Sequence, residues 1–281
     1  MTTVDRIAAL RQAVSGVRAD RRRIGLVPTM GALHEGHLSL CDIARKHCDF
    51  VVLSIFVNPL QFGADEDLDR YPRSLAADSE LARGRGVDLI FAPPTEEIYP
   101  RGPSLVRVSA PGLDDRLCGH FRPGHFTGVL TIVAKLFNLV APDVAVFGRK
   151  DLQQVALIRW MVHDLDFAVD IVAAPVVREP DGLALSSRNA YIDTAARGAA
   201  ASLSQALRAA QQAFDAGERD PAALVGAAHA ILERAPGVEV QYVELVDADT
   251  LDTPGRAERG HALALAAFAG GTRLIDNHLL E

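Results

Sequence analysis

Apolar positions along this chain follow two rhythms. Short, mainly apolar runs occur at 24–28 (IGLVP), 50–57 (FVVLSIFV), 87–91 (VDLIF), 143–147 (DVAVF) and 169–174 (VDIVAA). Runs of this length, rich in Val and Ile and bounded by polar residues, read as strands buried on both faces. Between them, apolar residues recur at helical spacing and predict helices over 4–15, 37–47, 73–84, 124–140 and 150–163. A polar stretch over 58–72, punctuated by Pro59, Gly63 and Pro72, reads as a loop. Strands that alternate with helices imply an α/β fold: a parallel sheet with helices on both faces, because parallel neighbours need a crossover.

The rhythm changes after about residue 190. Residues 193–215 and 220–234 form Ala-rich helical patterns with no strand between them. Segments 238–247 and 261–269 then alternate as half-buried strands, and a short strand is expected near 272–276. Pro175, Pro180 and Gly182 punctuate the junction. The expectation is one domain over 1–176 and a smaller C-terminal α+β domain over 177–281.

Composition narrows the class. The 281 residues are 49% hydrophobic and 23% charged, which excludes disorder for most of the chain. A net charge of −7 argues against broad nucleic-acid binding, which runs on clustered Lys and Arg. No apolar run reaches the roughly 18 residues of a membrane span, and the N-terminal segment lacks a signal-peptide pattern. Cys41, Cys48 and Cys118 form no C-x-x-C and read as buried, reduced thiols in a cytoplasmic protein.

In an open parallel sheet, ligands bind beyond the carboxyl ends of the strands. PTMGALHEGH, residues 28–37, lies in such a place, between the first strand and a helix. A turn of this kind points backbone N–H groups and the helix dipole at an anion. Gly31 and Gly36 permit close approach, and His34 and His37 share a face if the first helical turn holds both. With nine histidines, an H-x-x-H pair is expected by chance about 0.3 times per chain, so the glycines and the strand–turn–helix setting carry the signal. A helix cap with exposed histidines, or a zinc site lacking a third local ligand, are the competing readings.

Other strand ends carry further candidates. In FGRKD, Lys150 offers a phosphate contact and Asp151 an acceptor for ribose hydroxyls, against an ordinary helix start. In GLALSSRN, Ser186, Ser187 and Arg188 offer a phosphate clamp, against a simple N-cap. Gln61 and Gln154 can donate and accept toward a hydroxy acid, and Arg122 and His125 precede a helix in RPGHF. Asp78 is either a magnesium contact or an exposed helix acid.

The segments PTMGALHEGHLSL, FVNPLQFG, YPRS, RPGHF, FGRKDLQQ and DGLALSSRN occur in one order. Together they closely resemble the pantoate–β-alanine ligases (pantothenate synthetases). HEGH resembles the HIGH-type signature of a wider nucleotidyltransferase superfamily, and LSSR stands where that group carries its KMSKS-type loop.

The resemblance implies a Rossmann-like N-terminal domain, a hinged C-terminal lid domain and a cytoplasmic homodimer. It implies a two-step reaction in which ATP and (R)-pantoate give pantoyl adenylate and pyrophosphate, after which β-alanine releases AMP. ATP would be a substrate and Mg2+ its companion. Met30, Gly31, Ala32, Leu33, His34, Glu35, Gly36 and His37 would line the nucleotide, with His34, His37, Lys150 and Arg188 in the catalytic role. Gly148, Arg149, Lys150, Asp151, Val177, Leu185, Ser186, Ser187 and Arg188 would complete the ATP site. Gln61 would hold pantoate and border β-alanine, Gln154 would hold pantoate, and Arg122 would contact substrate.

Three rival readings make different demands. A nucleotidyltransferase of the same superfamily would keep HEGH but has no need of Gln61 and Gln154. A nicotinamide oxidoreductase would carry G-x-G-x-x-G where this chain has MGALHEGH. A silent nucleotide-binding regulator would tolerate loss of both histidines.

Overall fold

The structure, a computed structural model, describes residues 1–63 and 66–281, so Ala64 and Asp65 of the expected 58–72 loop lie outside the described residues. Contacts divide the chain into two compact bodies. The first comprises Met1–Asp115, Gly119–Arg149 and Leu157–Ala174; the second comprises Arg116–Cys118, Lys150–Ala156 and Pro175–Glu281.

In the first body, β1 (Thr2–Val4) and α1 (Ile7–Ala19) precede β2 (Ile24–Thr29), α2 (Glu35–His47) and β3 (Phe50–Ile55). Next come α3 (Leu75–Arg83), β4 (Leu89–Phe91) and the short helices α4 (Thr95–Ile98) and α5 (Leu117–Phe121), of which residues 117–118 belong to the second body. Then follow α6 (His125–Val140), β5 (Val144–Gly148), α7 (Leu152–Asp164), of which residues 152–156 belong to the second body, and β6 (Asp170–Ala174). The sheet order is β1-β4-β3-β2-β5-β6 and every pair is parallel. This is the Rossmann-like sheet expected from the alternating pattern.

Its centre is apolar: Ile24, Leu26, Val27, Val51, Val52 and Leu53 are almost wholly removed from water. Strand order reverses at β2, whose neighbours are β3 on one side and β5 on the other. The carboxyl ends of β2 and β5 therefore flank the crevice where such sheets take ligands.

Two differences from the sequence reading concern the edges. Residues 2–4 form an edge strand beside β4, so the first helix begins at Ile7 and extends to Ala19. Three residues are too few to show a period of two, and pairing with β4 selects them. The second strand stops at Ile55, because Asn58 and Pro59 start a 3-10 turn.

The second body is built on α8 (Arg197–Asp215), α9 (Pro221–Leu232), β7 (Val238–Val246), β8 (Ala262–Ala269) and β9 (Thr272–Leu279). The strands form an antiparallel meander, β7-β8-β9. β8 was expected to alternate, yet seven of its eight residues are buried. It is the central strand: α8 contributes Leu203, Ala206 and Leu207 to the core that includes Leu263 and Leu265. Ala262 and Ala264 meet a second cluster with Leu117, Leu152 and Leu251. Alanine suits a strand covered on both faces at close range. β9 runs to Leu279, three residues beyond its expected end.

Candidate active site

β2 delivers the chain into a strained turn. Gly31 and Ala32 both adopt positive φ, +85° and +50°. Ala32 is in a conformation few non-glycine residues accept, so something must hold it. Asp78 of α3 does so: its Oδ2 accepts the Ala32 N–H at 3.0 Å and its Oδ1 accepts the Leu33 N–H at 2.8 Å. A Cβ at residue 31 would approach Asp78 Oδ2 to 2.9 Å, so glycine is required there for both conformation and space.

This arrangement corrects one expectation. Asp78 is not an exposed helix acid; it is 3% exposed and each of its oxygens accepts a backbone N–H.

His34 has extended dihedrals and stands at the N-cap, so it does not share a helical turn with His37. The imidazoles still meet, stacking with centroids 4.1 Å apart. The His34 side chain does not cap α2; the His37 N–H donates instead to the His34 carbonyl at 2.8 Å, and the helix start carries the positive end of the helix dipole. Glu35 turns to Arg85, which also pairs with Asp42.

Beyond β3, the turn Pro59–Gln61 is wedged against α6. A Cβ on Gly128 would lie 2.3 Å from the Leu60 carbonyl oxygen, so only glycine admits this contact. Asn58, 1% exposed, ties the region together. Its Nδ2 donates to Gly128 O at 3.1 Å and to Gln61 Oε1 at 3.2 Å, and its Oδ1 accepts from Tyr99 Oη at 2.8 Å and Leu60 N at 3.3 Å. Burial pushes the Tyr99 phenol up to about 12, which keeps it a neutral donor. Gln61 Nε2 in turn reaches Met30 Sδ at 3.2 Å.

Arg122, expected to contact substrate, is engaged by neighbouring residues. Its Nε and Nη2 donate to Glu66 at 2.6 and 2.5 Å, its Nη2 donates to Gln61 O at 3.3 Å, and its Nη1 meets His125 Nε2 at 3.0 Å. A guanidinium only donates, so Nε2 accepts and His125 Nδ1 carries the proton it donates to Gln61 O at 2.7 Å. Burial pushes the Glu66 carboxyl up, but the Arg122 hydrogen bonds and charge outweigh it and hold the group below its usual range. The set anchors the Gln61 backbone.

A groove of about 530 Å³ opens beyond the ends of β2, β3 and β4, lined by Met30, Phe56, Pro59, Arg73, Asp78 and Pro93 among others. It is mostly apolar with a few polar groups, as small-molecule sites are.

Gly148 and Arg149 end a segment of the first body, and the second body carries the remaining candidates. The 3-10 turn Arg149–Asp151 follows Gly148, and the Lys150 carbonyl accepts from Asn277 Nδ2 at 2.9 Å. Gln154 lies on α7 next to the buried Gln153, which donates to Arg116 O at 2.7 Å. Val177 O accepts the Leu185 N–H at 2.9 Å, and Ser186 caps the turn Ser187–Tyr191 by accepting from Arg188 N at 3.2 Å. Arg197 braces this segment through Glu179 and Asp181. Its hydrogen bonds hold the Asp181 carboxyl below its usual range.

All three cysteines are free and buried, and burial pushes the Cys41 thiol up to about 12, so it is inert. Among the described residues, no group of three or more His, Cys, Asp or Glu is placed to hold a metal ion.

Known proteins agree with this geometry along the whole chain. The family described as Pantoate-beta-alanine ligase matches residues 2–279. The chain belongs to that family. It is 50% identical to the pantothenate synthetase of Thermoanaerobacter sp. (strain X514) over 279 residues, covering 99% of this chain and 98% of the relative. It is 52% identical to pantothenate synthetase 1 of Bradyrhizobium diazoefficiens, covering 100% and 99%. The crystal structure of pantothenate synthetase from Thermus thermophilus superposes with a TM-score of 0.94 at 45% identity, covering 100% and 99%. That of the pantoate-beta-alanine ligase from Francisella tularensis, complexed with β,γ-ATP and β-alanine, superposes with a TM-score of 0.82 at 34% identity, covering 99% and 97%.

The protein is thus an enzyme, a ligase of this family. In a pantoate–β-alanine ligase, residues that hold the reacting groups need supports that a motif search overlooks. Asn58, Glu66 and Tyr99 were missed here. Asn58 and Glu66 lie close to Gln61 in sequence, but their contacts are with Gly128 of α6, Tyr99 after β4 and Arg122 just before α6.

Proposed function

We propose that this ligase joins (R)-pantoate to β-alanine in two steps through pantoyl adenylate. In the first, a pantoate carboxylate oxygen attacks the α-phosphorus of ATP, the bond to the bridging oxygen breaks, and pyrophosphate leaves. In the second, the β-alanine nitrogen attacks the acyl carbon and loses a proton, and AMP leaves with the oxygen it shared. A carboxylate has no good leaving group of its own, and adenylation supplies one. Such a displacement needs positioning and charge neutralisation rather than a protein nucleophile.

The observation that carries this reading is the stacked His34–His37 pair at the uncapped start of α2. Two imidazoles and the positive end of a helix suit the charge that develops on the phosphates. Gln61, held by Asn58 and the Arg122 set, presents an amide able to donate and accept, which suits pantoate. We assign Gln154 to pantoate, and Lys150, Arg188, Ser186 and Ser187 to the phosphates. Gly148, Arg149, Asp151, Val177 and Leu185 complete the nucleotide site in this reading. The ligands named for the Francisella relative, an ATP analogue and β-alanine, are consistent with these substrates.

Magnesium was expected beside ATP. The described residues do not build a protein site for it, since Asp78 is engaged by two amides and no ligand cluster is present among them. No step is routed through the metal. We further assign the enzyme to the cytoplasm, as its free buried thiols suggest, and expect a homodimer of twice 30.1 kDa, which light scattering would read.

The test is AMP release, which should require ATP, pantoate and β-alanine together. ATP and pantoate alone should yield a single burst of pyrophosphate, one per active site. Release of ADP, or of AMP without pantoate, would overturn the reading.

A further inference from the structure

Asp276 lies on β9 with 3% of its surface exposed, and the reaction proposed above does not use it. Its carboxylate accepts from Arg178 Nη1 at 2.6 Å and Nη2 at 3.0 Å, and from the Asn277 N–H at 2.8 Å. Arg178 also donates to Gly182 O at 3.0 Å and to Asn277 O at 3.3 Å.

Arg178 stands at the root of a tight chain reversal. It bridges Ala184 in antiparallel fashion, the Glu179 N–H binds Leu183 O at 2.8 Å, and the Leu185 N–H binds Val177 O at 2.9 Å. The outgoing arm is the segment Leu185–Arg188. Next to Asp276 on the same strand, Asn277 sends its side-chain amide to the Lys150 carbonyl at 2.9 Å. One buried carboxylate and its neighbour thus anchor two segments that are far apart in sequence, both assigned above to the nucleotide.

Stability alone is a weak reason for such a pair. Desolvating two charges offsets most of their attraction, and packed apolar residues often serve as well. A bidentate arginine–carboxylate contact does fix direction, because two parallel hydrogen bonds allow one orientation of each partner.

We propose that Asp276, Arg178 and Asn277 are positioning residues for the adenylation step, holding Lys150 and the Leu185–Arg188 segment in register with each other. The proposal rests on the reading of those two segments as nucleotide contacts. Misplacing charged contacts in a displacement lowers its rate even when every contacting residue is intact.

The experiment separates the two halves of the reaction in the full-length enzyme. Pantoate-dependent exchange of labelled pyrophosphate into ATP reads the first step, and AMP release from supplied pantoyl adenylate and β-alanine reads the second. Asn277→Ala deletes the neutral hydrogen bond to the Lys150 carbonyl and should fold. Arg178→Lys keeps the charge and loses the fork.

Both variants should lower kcat for exchange roughly tenfold or more. The KM for pantoate and the second step should stay within about twofold. Arg178→Met should be worse than Arg178→Lys. Unchanged exchange in the folded variants, or parallel losses in both steps, would overturn the proposal. Absence of exchange in the unmodified enzyme would overturn the nucleotide reading together with the proposal.

Discussion

Replacing Asp78 by asparagine changes one heavy atom and removes one hydrogen bond. The carboxylate accepts from Ala32 N and Leu33 N, one oxygen each, in a site almost closed to water. An asparagine oxygen can serve one of these amides. Whichever way the side chain turns, its NH2 group then faces the other backbone N–H at about the same separation. An unsatisfied buried donor costs about 1–3 kcal/mol, and the surviving bond loses its charge assistance, worth about 1 kcal/mol. Burying a neutral group relieves part of this cost.

The net expectation is a loss of about 2–3 kcal/mol, which lowers Tm by roughly 4–12 °C in a protein of this size. Ala32 would also lose the tether that keeps its backbone at positive φ, so the KM for ATP should rise roughly tenfold. Thermal unfolding by circular dichroism without ligands, followed by ATP titration at saturating pantoate, measures both effects. A Tm within about 1 °C of the unmodified protein and an unchanged KM would refute the reasoning.

His37→Ala should lower kcat for adenylation about 10²-fold, as loss of one charge-stabilising donor typically does, and single-turnover pyrophosphate release would measure it. Gln61→Ala should raise the pantoate Kd roughly tenfold and leave that of ATP within about twofold, as read by calorimetry. Arg188→Ala should slow adenylation while sparing the reaction of supplied pantoyl adenylate with β-alanine; equal losses would count against the clamp. Glu66 is held below its usual range, so its contribution to stability is present above the unfolded carboxylate value of about 4.3 and is lost as pH falls through its lower folded value. Glu66→Gln should therefore be destabilised by roughly 1–3 kcal/mol at pH 7 and show a flatter acid limb in a pH series of urea melts.

Local pattern was enough to read the class of this protein. Apolar runs of five to eight residues between helical repeats leave little choice but a covered parallel sheet, and the motifs at strand ends name the chemistry. His34, His37, Gln61, Lys150 and Arg188 stand out as candidates because their residue types suit phosphate or hydroxy-acid ligands and each follows an apolar run or a glycine-bearing turn.

The supports were illegible because each depends on a partner distant in the chain. Asp78 finds amides 45 and 46 residues away, Arg122 finds Glu66 56 residues away, and Asn277 finds the Lys150 carbonyl 127 residues away. Nor does periodicity show that Thr2–Val4 lies beside β4, or that β8 is covered on both faces. Local propensity and alternation are properties of neighbours within a few residues. The choice of a buried partner is settled when whole elements pack, and it rewards any residue that satisfies a stranded donor or acceptor wherever in the chain it lies.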